Sequence, residues 1–61
     1  MKVIRKMRLA RGLTQAKLAK ALDVDTSTVT KWETGEAKPR ADKLPLLAKI
    51  LGCSIDGLFA E

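Results

Sequence analysis

Between Asp25 and Gly35 the chain reads DTSTVTKWETG, a set of side chains equipped for hydrogen bonding rather than for covalent chemistry. Thr26, Ser27, Thr28 and Thr30 carry short hydroxyls that donate or accept close to the backbone, and Lys31, one helical turn beyond Ser27, adds a cationic donor. Threonine methyls add small apolar contacts. As helix formers these residues lag alanine by up to about 0.7 kcal/mol each, a deficit that packing overrides. The flanking segments are nevertheless written in helix-forming residues. The hydroxyls are therefore selected for what they present, while Val29 and Trp32, three apart, hold the segment from behind.

The elements that must position this stretch are short. Val3, Ile4 and Met7 give a first helix one apolar stripe beside basic residues, and Gly12 supplies the left-handed residue that ends it. Thr14 is a good N-cap for a second helix over Gln15 to Leu22, with Leu18, Ala19 and Leu22 on its apolar side. Asp23, Val24 and Asp25 leave room only to turn and restart, with Asp25 as the next N-cap, and Gly35 stops the third helix. GEAKPRA is a polar loop. A fourth helix starts at Asp42 to Leu44, takes Pro45 in its first turn, where the missing N–H has no partner in any case, and carries Leu44, Leu47, Ala48, Ile50 and Leu51. Gly52 closes it. Ser54 caps a last short helix whose apolar side is Ile55, Leu58 and Phe59.

Two short helices joined by a three- or four-residue turn match the helix-turn-helix unit, which presents its second helix to the major groove of DNA. The totals agree. The chain has 61 residues, one domain's worth (residues 1–61), and a net charge of +5 that calls for an anionic partner, nucleic acid or an acidic membrane surface. Lys2, Arg5, Lys6, Arg8, Arg11, Lys17 and Lys20 all precede the first acid, Asp23. One cysteine and no histidine exclude a disulfide frame or a Cys/His zinc site within one chain. With no histidine, no convincing carboxylate pair and no glycine-rich phosphate loop, the chain is expected to be a binder and not an enzyme, without metal, cofactor or small-molecule ligand. No apolar run reaches the roughly 18 residues of a membrane span, and the start MKVIRKMRLARG is too charged for a signal peptide, so a reducing, cytoplasmic setting is expected.

Three stretches in order, RxxxGLTQxxLAxxL, VDTSTVTKWETG and LAKILGCSIDGLF, resemble the XRE-like family of phage repressor and Cro type, over nearly the whole chain. The resemblance implies an all-α, lambda-repressor-like domain of five short helices, with helices two and three as the helix-turn-helix, binding palindromic operator DNA as a weak homodimer and acting as a repressor-like transcriptional regulator. It implies that Gln15 reaches a phosphate, that Thr26, Ser27 and Lys31 read bases with Thr28 and Thr30 flanking them, and that Thr34, Lys38 and Arg40 clamp the backbone. It also supplies a partner for Glu33, whose charge faces the unfavourable end of the helix dipole: a structural salt bridge to Arg8. Any part of the Ile55, Leu58 and Phe59 stripe left outside the core would be the dimer seam. The chain departs from the family pattern at Asp23, where glycine is usual and a left-handed conformation is required, and at Gly57, which costs the last helix roughly 0.5–1 kcal/mol relative to alanine.

Other readings stand beside these. Trp32 is expected to plug the core, and Cys53, in a slot the family fills with valine, to pack. Lys2, Arg5, Lys6 and Arg11 either solvate a helix face or touch DNA, while Lys17, Lys20, Lys43 and Lys49 are expected on the surface. A protein-interaction or antitoxin-like adaptor is the first rival function, and a membrane-surface peptide built on the basic first helix the second. Nothing in these 61 residues reads as a sensor, so regulation would come from concentration, a partner protein or degradation.

Overall fold

Each helix boundary is set by a local device. The computed structural model describes residues 1–60. Helix α1 spans Lys2–Ala10 and turns off through Gly12 (φ +69°), where the Leu13 amide donates to the Arg8 carbonyl at 3.0 Å. In front of α2, Gln15–Leu22, the Thr14 hydroxyl accepts from the Lys17 amide at 3.1 Å and satisfies one of the free N–H groups of the first turn. Asp23 ends α2 in the left-handed region (φ 57°, ψ 45°), the only non-glycine with positive φ among the described residues, and the Val24 amide closes the turn on the Ala19 carbonyl at 3.0 Å.

Helix α3 spans Thr26–Thr34 and stops at Gly35 (φ +85°). Asp25 stands at its N-cap position with extended backbone, but its side chain makes no capping hydrogen bond; the Asp25 carbonyl alone holds the first turn, through the Thr28 amide at 3.0 Å. The following loop is anchored by Pro39, which is buried. A 3₁₀ turn, Ala41–Lys43, leads into α4, Leu44–Leu51, and α5 covers Ile55–Leu58 behind the Ser54 hydroxyl, which accepts from the Gly57 amide at 2.9 Å.

The expected all-helical architecture of five helices is present. Ile4, Leu18, Leu22, Val29, Trp32, Leu47, Leu51 and Leu58 meet in one core, to which every helix contributes. Helix α1 lies across α3, α4 and α5, and α2 packs on α3. Cys53 is half-buried against this core. Of the Ile55, Leu58 and Phe59 stripe, Leu58 is 0% exposed and belongs to the core, while Ile55 and Phe59 stay outside it. With α5 only four residues long, its inward side chain must reach the core if the helix is to be held at all. No helix among the described residues is long and apolar enough to cross a membrane.

Candidate nucleic-acid interface

Periodicity sorts the side chains of α3. Val29, Trp32 and Glu33 point inward, whereas Thr26, Ser27, Thr30, Lys31 and Thr34, spaced three and four apart, are exposed along the opposite edge. Thr28 lies between the two faces and is half-buried. The helix thus presents four hydroxyls and one ammonium outward, propped by an indole and a valine that α1 and α2 cover.

Beneath that edge runs a chain of hydrogen bonds across three helices. Arg8 of α1 donates through Nε to Glu33 Oε2 at 2.7 Å and through Nη2 to Glu33 Oε1 at 3.1 Å, in the two-pronged geometry that suits a guanidinium and a carboxylate. Its remaining arm, Nη1, donates to the Leu13 carbonyl at 2.8 Å, tying the turn after α1 to the same ion pair. Gln15, the first residue of α2, donates through Nε2 to Glu33 Oε1 at 3.1 Å and accepts from the Thr30 hydroxyl at 2.9 Å. Burial on its own would raise the Glu33 carboxyl; the hydrogen bonds from Arg8 and Gln15 and the positive charges of Arg8 and Arg5 outweigh it and hold the group below its ordinary value.

The Gln15 amide is therefore not a free arm. It is half-buried with both its oxygen and its nitrogen engaged, which leaves one N–H to point elsewhere. Thr34 donates its hydroxyl to the Lys31 carbonyl at 3.2 Å, so that donating to a phosphate requires the hydroxyl to turn away from its own helix. Lys38 and Arg40 are exposed on the loop after α3, and Arg40 Nε lies 3.6 Å from Asp42 in a pairing whose partners are 86% and 65% exposed, too solvated to hold the arginine back.

Two other cations have structural work. Lys43, expected at the surface, is half-buried and donates to the Leu22 carbonyl at 3.0 Å, capping the end of α2 from 21 residues away. Arg11 donates to the Leu51 carbonyl at 3.3 Å, and its guanidinium occupies the space where a Cβ on Gly52 would stand. Both put positive charge on the negative ends of helices. Leu46, 44% exposed on α4, joins Ile55 (41%) and Phe59 (53%) as an apolar group in solvent. Leu46 lies off the Leu44, Leu47, Ala48 and Leu51 stripe of the fourth helix, and its exposure follows from that spacing.

The fold and the exposed edge of α3 define a helix-turn-helix protein, and the chain belongs to that family: residues 4–58 match the helix-turn-helix family profile, of the XRE type, a family of DNA-binding transcriptional regulators. It is similar to the HTH-type transcriptional activator BcrR of Enterococcus faecalis (32% identity; 93% of this chain, 28% of the relative) and to the HTH-type transcriptional regulator DicA of Escherichia coli (44% identity; 67% and 30%). Multiprotein-bridging factor 1c of Arabidopsis thaliana is 36% identical over 97% of this chain and 40% of its own length. The chain thus spans well under half the length of each of these relatives. No solved structure matches at comparable stringency.

Proposed function

We propose that this chain reads operator DNA in the major groove with the exposed edge of α3, two copies binding the two halves of a palindrome. Thr26, Ser27 and Lys31 face base edges with Thr28 and Thr30 beside them; Gln15, Thr34, Lys38 and Arg40 hold phosphates. The observation that carries the reading is the division of α3, with hydroxyls and Lys31 outward while Val29, Trp32 and Glu33 are buried behind them. Short hydroxyls let a helix approach the groove floor, and the free N–H groups at the starts of α2 and α3 suit phosphate oxygens. Pairing of two copies draws on Ile55 and Phe59, with Leu46 added and Leu58 excluded.

Selection from a random duplex library tests this. One enriched palindrome with half-sites roughly 34 Å apart is expected; enrichment of no motif would remove the base-reading proposal. Sedimentation of the protein with and without the selected duplex tests the pairing, and monomers at every concentration in both would overturn it.

A second reading, an adaptor that holds another polypeptide, is favoured by one feature. Lys2, Arg5, Lys6 and the exposed Leu9 of α1, with the Arg8-paired Glu33 of α3 at its floor, line a shallow groove of about 400 Å³, a mainly basic surface that suits an acidic, partly apolar peptide. Retention of partner binding by a chain that enriches no DNA motif would support it.

A further inference from the structure

The hydrogen bonds under α3 have a direction. Glu33 is paired with Arg8 and ionised at neutral pH, so both its oxygens only accept. Of the two ends of the Gln15 amide, only nitrogen can face Glu33 Oε1, which turns the Gln15 oxygen toward Thr30. That oxygen also only accepts. The Thr30 hydroxyl, 2.9 Å away, must therefore supply the proton, and its other neighbour, the Thr26 carbonyl at 3.2 Å, is equally unable to give one. The Gln15 oxygen is the nearer of the two acceptors and takes the single hydroxyl proton of Thr30, leaving the Thr26 carbonyl only the longer, weaker alternative. What Thr30 shows to solvent is oxygen lone pairs and a methyl.

We infer that Thr30 is an acceptor-only base reader whose sense is set by Glu33 and Gln15, and that it selects a base edge carrying an amino donor, adenine N6 or cytosine N4. An unconstrained hydroxyl accepts from an amino group or donates to guanine O6 or N7 and thymine O4 with equal ease, and so discriminates poorly. Here a carboxylate only 4% exposed, lying beneath the reading edge, removes half of those options. Glu33 and Gln15 act as positioning residues, and Arg8 keeps Glu33 ionised. The inference rests on the base-reading proposal above.

The test starts from the selected operator and locates the base pair whose preference changes in Thr30→Val, an exposed substitution that leaves the core alone. Duplexes are then made with that pair's amino group deleted (purine for adenine, or the 4-unsubstituted pyrimidinone for cytosine) or with the purine N7 replaced by carbon. Deleting the amino group is expected to weaken wild type and Thr30→Ser by about three- to tenfold more than Thr30→Val, the range of one neutral hydrogen bond. The N7 replacement is expected to affect all three alike. Gln15→Met, which keeps the Thr30 hydroxyl and removes its nearer acceptor, is expected to narrow the amino-group penalty, an effect that loss of a phosphate contact alone would not produce.

An amino-group penalty equal in wild type and Thr30→Val, an N7 effect specific to Thr30, or an unchanged penalty in Gln15→Met overturns the inference while leaving base reading intact. So does a selected motif that Thr30→Val does not alter at any position. A library that yields no motif removes base reading, and the inference with it.

Discussion

Replacing Glu33 or Arg8 alone should unfold much of the population, whereas replacing both should not. The Glu33 side chain is 4% exposed and that of Arg8 8%, so each charge has exchanged nearly all its water for the other. Glu33→Leu strands a guanidinium whose one remaining acceptor is the Leu13 carbonyl; Arg8→Met strands a carboxylate left with one amide N–H from Gln15. Breaking a buried pair from one side costs about 3–5 kcal/mol. A chain of this length has a total stability of only about 3–9 kcal/mol, at 0.05–0.15 kcal/mol per residue. At roughly 4–8 °C per kcal/mol, each single variant should melt at least about 12 °C lower than wild type. Arg8→Met combined with Glu33→Leu removes both charges and leaves two unbranched or γ-branched apolar groups at their place, with Gln15 half-buried and able to turn to water. The double variant should therefore recover about 2 kcal/mol or more relative to the sum of the singles. Urea denaturation followed by far-ultraviolet circular dichroism on all four proteins gives the coupling. Additive losses would refute the claim that the pair, rather than the volume of either side chain, accounts for the damage.

The remaining predictions use the same assays or a binding titration. Asp23→Gly should stabilise by about 0.5–1 kcal/mol, because glycine has no left-handed penalty, a gain trimmed by its freer unfolded chain; a lower urea midpoint would contradict it. Gly52→Ala meets both a left-handed φ of +72° and the Arg11 guanidinium, and should cost about 1–2 kcal/mol in thermal melts, with no loss counting against that packing. The folded Glu33 carboxyl binds a proton less readily than the unfolded one, so its contribution is complete above the ordinary glutamate range, about 4.3, and is lost as pH falls through the lower folded value; a Glu33→Gln variant should lack that part of the acid transition. If Lys31, Lys38 and Arg40 are the cations on DNA, two copies should give a slope of log affinity against log salt of about −5.4. Engagement of Lys2, Arg5 and Lys6 as well would steepen it to near −11.

The fold was legible where one residue settles a local conformation. Gly12, Gly35 and Gly52 all adopt positive φ at helix ends, and Thr14 and Ser54 both accept a hydrogen bond from the first turn they precede. Asp25 occupies its expected place without making the side-chain bond, since its carbonyl already holds the turn. Depth was harder to read than direction. Ile55, Leu58 and Phe59 were recognisable as one stripe, but which of them reaches the core depends on where α1 and α4 lie over a helix of four residues, and no pattern within α5 encodes that.

For the site, the identity of the outward edge of α3 followed from period alone, whereas the use made of long side chains did not. Arg8, Arg11 and Lys43, three of the twelve basic residues, end on a carboxylate or on carbonyls. The carbonyls that Arg11 and Lys43 cap lie 40 and 21 positions away in sequence. Glu33 was the exception, because a negative charge at the wrong end of a helix announces its need for a partner. Gln15 gave no such notice: a glutamine at a helix start suits a phosphate as well as a neighbour, and only the ionised Glu33 beside it determines which end of the amide faces α3. The basic charge left free to meet an anion is thus smaller than the composition suggests, and the proposed acceptor-only Thr30 would discriminate better than a free hydroxyl. Both follow from contacts in which a side chain from one helix is consumed by the backbone or carboxylate of another.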